Sequence, residues 1–198
     1  GLPPRIDLLV DGDPVESQIK WPVPKRFNAF GFDNYGYDNT VILPLDVSGF
    51  TAGTTLQLTG QVEALACAEI CVPLGGAVKM TVPAGPALAS ADALAMAKAA
   101  ALVPRQGGHV SLVPDHLSQV ADRLYMRFAA PVPVDDIFIE GIDGVAFKRP
   151  QLDGGDAAIA IEATSLPDLA GRDITATIVA GNEFIEQRLT VSAAGPKP

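Results

Sequence analysis

The sequence predicts an all-β protein made of two tandem β-sandwiches joined by a short alanine-rich helix. Three observations carry this reading. Glycine and proline number 19 and 17 and are scattered through the chain, with short β-type runs between them. Several of those runs alternate apolar and polar residues, the period of a strand with one buried face. The 198 residues are 48% hydrophobic but only 6% aromatic, so the chain can bury one large core or two small ones built from Val, Leu, Ile and Ala.

Taken in order, residues 41–47 (VILPLDV) read as a first strand. Residues 54–65 follow, with Leu56, Leu58, Val62 and Leu65 set among Thr and Gln. Residues 77–82 put Val78, Met80 and Val82 on one face and Lys79 and Thr81 on the other. The last two runs flank Cys67 and Cys71, which predicts an antiparallel pair with the cysteines at or near its end. Pro83-Ala84-Gly85-Pro86 then breaks the pattern. Ser90 can cap a helix running to about Leu102, ended by Val103-Pro104 and read as a linker packed on a domain edge. Strand signals resume at 123–129, 136–142, 157–163, 174–180 and 184–191. Asp153-Gly154-Gly155-Asp156 and Gly181-Asn182 supply turns, the second short enough for a tight hairpin. Gly75-Gly76 and Gly107-Gly108 also read as turns, and His116 as a surface-loop residue. The organisation expected is a domain at 1–85 carrying the cysteines, a helical linker at 86–107 and a second sandwich at 108–198.

The net charge of −9, with no long Lys/Arg run, repels phosphate backbones and argues against nucleic-acid binding. No apolar stretch reaches the ~18–20 residues of a membrane span. The longest candidate, 84–103, contains Asp92 and Lys98, so direct membrane insertion is not expected. The chain shows no initiating Met, signal peptide or stop-transfer segment, and reads as a soluble piece of something longer.

Cys67 and Cys71 are the chain's two cysteines. A Cys-x3-Cys pair joins only if the chain turns back and brings the α-carbons within about 7 Å. Ile70, Val72 and Pro73 make a helix a poor host for that turn, and a hairpin end a better one. The loop such a bond closes is so small that it contributes only about 2 kcal/mol by loop entropy. A bond of modest stabilising value, close and reachable, suits opening and closing. Glu69, between the cysteines, would oppose thiolate formation if close. Two other readings stay open: an inert structural disulfide, and copper(I) held by the two thiolates. His109, His116 and three Met are a weak set for zinc, so no metal site is assigned. No phosphate-binding loop or catalytic triad pattern occurs, and no cofactor is expected.

Several motifs fall in a family-like order: Trp21-Pro22-x-Pro24-x-Arg26-Phe27, Tyr35-Gly36-Tyr37, Val41-x-Leu43-Pro44-Leu45 and Cys67-x3-Cys71-Val72-Pro73. Together they resemble the N-terminal periplasmic domain of DsbD-like thiol:disulfide interchange proteins, particularly the ScsB branch. Leu102-Val103-Pro104-Arg105 is similar too, and Ile137-Phe138-Ile139 and Ile178-Val179-Ala180-Gly181 extend the likeness loosely into the second half. The resemblance implies immunoglobulin-like folds, two in tandem, in the periplasm. It implies a protein-disulfide reductase domain, unable to turn over alone, that takes electrons from a membrane-embedded domain of the same polypeptide. Those electrons would pass to periplasmic thioredoxin-fold proteins. Cys67 and Cys71 would be the catalytic pair, with Cys71 the attacking residue and Pro73 beside them. A shielding loop at 30–37, with Phe30, Phe32, Asp33, Tyr35 and Tyr37, would cover the sulfurs until a partner arrives. Relatives carry an aromatic strand upstream of the Gly1-Leu2-Pro3-Pro4 motif, so part of that wall would lie outside this chain.

Overall fold

A computed structural model describes residues 3–29, 32–51, 53–67, 70–85, 88–107, 112–128 and 133–193. The chain divides into two compact units, Gly1–Ala101 and Leu102–Pro198. Both are built from strands, as the glycine- and proline-punctuated sequence requires, and α1 (Ala93–Ala100) is the one α-helix among the described residues.

In the first unit, β1 (Arg5–Val10), β2 (Asp13–Pro14), β7 (Leu56–Cys67) and β8 (Cys71–Val82) form a four-stranded sheet in the order β2-β1-β7-β8. Two antiparallel pairs accompany it: β3 (Glu16–Ile19) with β6 (Leu45–Ser48), and β4 (Lys25–Ala29) with β5 (Phe32–Gly36). The strand expected at 41–47 begins only at Leu45. Pro44 has no N–H to give a ladder, and its carbonyl accepts from the Lys20 N–H at 2.8 Å. Leu8, Val10, Leu56 and Ala99 are the buried hydrophobic residues described in this unit.

The helix is shorter than Ser90 suggested. Asp92 stands at the N-cap without a side-chain cap bond, and the Ser90 carbonyl instead accepts from the Ala93 N–H at 3.1 Å. The segment 86–107 contributes this helix to the first unit and β9 (Arg105–Gln106) to a sheet of the second.

The second unit is a sandwich. One sheet runs β10 (Pro114–Val120), β11 (Arg123–Phe128), β15 (Asp156–Ala163) and β13 (Val145–Phe147), with β14 (Gln151–Asp153) also paired to β15. The other runs β12 (Asp136–Glu140), β16 (Asp173–Ala180), β17 (Glu183–Thr190) and β9. Alternation aims Leu124, Met126, Phe128, Ala157, Ile159 and Ile161 from the first sheet at Ile137, Ile139, Ile174, Ala176 and Ile178 from the second. Each Leu or Ile buried there stabilises by about 1.5–3 kcal/mol. Both expected turns form, with Asp153 facing Asp156 and Ala180 facing Glu183. Two readings are corrected. His116 lies on β10, its Nε2 3.1 Å from Ser118 Oγ, not in a loop. Gly75 and Gly76 lie inside β8, opposite Glu63 and Val62, not in a turn.

Candidate functional site: a cross-strand cysteine pair

Strands β7 and β8 pair without a slip from Leu56–Val82 to Cys67–Cys71. The ladder therefore delivers the two cysteines opposite each other at its end, as the flanking runs predicted. They are bonded, with S–S 2.14 Å and Cα–Cα 4.0 Å. Three residues, 68–70, close the hairpin; Ile70 is 72% exposed, and Ala68 and Glu69 lie outside the described residues.

Ladder parity explains what surrounds the bond. Opposed residues alternate between a wide, hydrogen-bonded pair and a narrow, non-bonded one of about 4.5 Å. The short Cα distance places Cys67–Cys71 in the narrow class. The Asp11 N–H donating to the Gln57 carbonyl at 2.9 Å agrees, since it turns the odd residues of β7 toward β1. Odd residues of β8 therefore aim their N–H and C=O at the open edge. Pro73, one pair from the disulfide and opposite Leu65, sits at such a position, so its missing N–H costs no ladder bond.

The disulfide shares its face with Gln57, Thr59, Gln61, Glu63, Lys79 and Thr81 and with the apolar Leu65, Pro73 and Ala77, of which Leu65 and Pro73 form the next pair on that face; both cysteines are exposed. The opposite face carries Ile6, Leu8 and Val10 of β1, Leu56, Leu58 and Val62 of β7, and Val72, Leu74, Val78, Met80 and Val82 of β8. An exposed disulfide meets the access requirement of thiol–disulfide exchange.

The expected shielding segment forms the β4–β5 hairpin. Arg26 faces Tyr35 across it, and its side chain is 5% exposed. The guanidinium lies 4.9 Å from the Tyr35 ring centre, Nη1 donates to Tyr35 Oη at 3.5 Å, and Asp33 Oδ2 is 3.9 Å away. Tyr37 Oη donates to the Pro22 carbonyl at 2.7 Å. Lys25 Nζ reaches Asp38 Oδ1 at 2.8 Å, and that hydrogen bond holds the Asp38 carboxyl below its usual range. Asp33, Tyr35 and Tyr37 are thus parts of one braced hairpin. Phe30 lies outside the described residues, and Phe32 is described by its backbone alone. Among the described residues, backbone pairing joins this hairpin to itself and not to the sheet of the disulfide. Arg26 as the brace was not foreseen, although Arg26 and Asn28 opposite Asp33 and Tyr35 is the alternating pattern that a hairpin needs.

Among the described residues no group of three His, Cys, Asp or Glu side chains is placed to hold a metal. Among the described residues no helix is long and apolar enough to cross a membrane.

Residues 4–83 match the family model described as thiol:disulfide interchange protein DsbD, N-terminal. Residues 102–194 match that of a domain of unknown function (DUF8393). No curated protein matches the chain. Among solved structures, the chain is similar to the N-terminal periplasmic domain of ScsB from Proteus mirabilis, with 17% identity and a TM-score of 0.76. The alignment covers 98% of this chain and 79% of that one. The resemblance read from the motifs therefore holds, and the fold is the all-β, immunoglobulin-like sandwich class.

Proposed function

We propose that this chain is a periplasmic thiol–disulfide exchange domain in which Cys67 and Cys71 cycle between dithiol and disulfide. The observation that carries this is a solvent-exposed bond between opposed cysteines at the turn end of a hairpin. The DsbD match over residues 4–83, which contain both cysteines, supports it.

In the dithiol form, the Cys71 thiolate attacks one sulfur of a partner disulfide. A Cys71–partner bond forms, the partner's S–S bond breaks, and its other sulfur leaves as a thiolate and takes a proton. The Cys67 thiolate then attacks Cys71 Sγ. The Cys67–Cys71 bond of this structure forms, and the second partner sulfur leaves. Two electrons and two protons have passed to the partner, and the domain is oxidised. Partners of the thioredoxin fold are the acceptors in this reading. A membrane-embedded domain of the same polypeptide returns the electrons by the reverse exchange, so the chain alone completes one half-cycle. Both cysteines are exposed in this structure, so in this reading the 30–37 segment, with Phe30, Phe32, Asp33, Tyr35 and Tyr37, shields the pair only in a second arrangement, and Glu69 and Pro73 neighbour it in the sequence.

The test is to mix reduced Cys67→Ala and Cys71→Ala variants with oxidised thioredoxin and run non-reducing gels. Cys67→Ala, which keeps the attacking sulfur, is expected to trap a mixed disulfide. If neither variant traps one, the exchange role is wrong.

A further inference from the structure

We infer that Leu65, Ile70 and Pro73 are the contact centre that an exchange partner covers, and that they select a disulfide-bearing protein over a small disulfide. This rests on the exchange reading above and names the residues that set its selectivity.

The exchange step itself says what comes to this place. While Cys71 Sγ is bonded to a partner sulfur, the two α-carbons so joined stand about 4.4–6.8 Å apart. The partner's backbone is then held against whatever surrounds Cys71. Even a weak redox encounter buries about 500 Å² of each protein, a disc about 13 Å in radius. Leu65 and Pro73 lie two residues along β7 and β8 from the cysteines, about 7 Å away on the same face. Ile70 precedes Cys71, its α-carbon about 3.8 Å off. A disc of that size centred on the disulfide contains all three.

The polarity of the face is arranged about the same point. Leu65 and Pro73 form a narrow pair, as the cysteines do, with Cβ atoms about 4.5–5.5 Å apart, so they make one apolar step beside the disulfide. Pro73 is exposed, Leu65 half-buried and Ile70 72% exposed. At about 13 Å the face continues with Glu63 and Gly75, then Gln61 with Ala77 and Thr59 with Lys79. An apolar centre within a polar rim is the anatomy of a protein contact, and the central residues carry most of its binding energy. Folding asks for none of this. Hairpin turns favour Gly, Asn, Asp or Ser where Ile70 stands, and Pro73 gives the ladder no bond. The occupant is thus a folded protein of the thioredoxin type, with apolar surface around its reactive cysteine.

Ile70→Ser and Pro73→Ser remove apolar surface at exposed positions, and Thr81→Ala, about 33 Å along β8 from Cys71, is the control. Leu65 is left in place, because it is half-buried and its loss would also act through the fold. Rates of oxidation of the reduced 198-residue chain are measured with thioredoxin disulfide and with glutathione disulfide. Each serine variant is expected to react about fivefold more slowly with thioredoxin, and the double variant about tenfold or more. With glutathione all stay within about twofold of wild type, and Thr81→Ala matches wild type with both. Unchanged thioredoxin rates in the double variant, or equal losses toward both oxidants, overturn the contact centre and leave the exchange role standing. A wild-type chain inert to both oxidants ends the exchange reading and this one with it. A wild-type dimer in sedimentation that the double variant dissociates makes a second copy the occupant. Variants that are silent in the full-length polypeptide mean that a segment outside residues 1–198 covers the pair. Either of these results overturns the inference.

Discussion

Single residues in this protein take their meaning from which side of a ladder they fall on. Pro73 would break a helix, yet on β8 its nitrogen faces an edge where no bond is made within the chain. Asp173 shows the same dependence on a partner strand. Its carboxylate accepts from Thr190 Oγ1 at 2.6 Å, directly across the β16–β17 ladder, and from Arg188 Nη2 at 2.9 Å on the diagonal. The Thr190 hydrogen bond first, and Arg188 next, hold its carboxyl below the usual range. A carboxyl lowered by folding stabilises the native state above its unfolded pKa of about 3.9, and that contribution is lost as pH falls through the folded value. The urea midpoint of Asp173→Ala is thus expected below that of wild type, by a constant gap from pH 7 to about 5. The gap should narrow below about pH 4. A gap that widens on acidification contradicts the sign.

The β7–β8 hairpin combines a full ladder with an uncovered outer strand. Twelve paired positions hold the cysteines opposite each other, so reduction removes a cross-link and leaves the register intact. Closing so short a loop is worth about 2 kcal/mol. Reduction should therefore lower the chain's denaturation midpoint while the far-ultraviolet circular dichroism of the native state is kept. Loss of the β signal on reduction would mean that the bond, and not the ladder, holds the hairpin. Burial separates this element from β16. Ile178→Ala, in the second unit's core, is expected to cost about 3 kcal/mol. Met80→Ala on β8 should stay within about 0.5 kcal/mol, measured by urea titration. A comparable cost at Met80 would show that β8 is covered in solution.

At the scale of the whole molecule, the buried cluster lies entirely in the second unit, where two sheets supply facing apolar rows. A fragment of residues 102–198 carries that cluster complete, together with β9, which pairs with β17. It is expected to unfold in one cooperative transition when expressed alone, followed by calorimetry. A fragment without such a transition would show that its sandwich depends on the first unit. The first unit distributes its residues differently: one sheet face is apolar, the other mixed and carrying the disulfide, and the outer strand is exposed.

Local pattern determined a good deal by itself. Alternation located β11, because a strand with one buried face writes that face into the sequence at period two, and runs at sandwich spacing located β12, β15, β16 and β17, all to within two residues at each end. Alternation also located the hairpin flanking Cys67 and Cys71, and Ile70, Val72 and Pro73 made a helical turn a poor host there. Tertiary structure decided what no local window holds. Gly75-Gly76 resembles a turn until β7 is laid beside it, and only the ladder makes it strand. Arg26 becomes a brace only once the hairpin folds Tyr35 and Asp33 onto it. Which way Pro73 and Cys71 face depends on pairing parity, a relation between two strands, and pairing is long-range by nature.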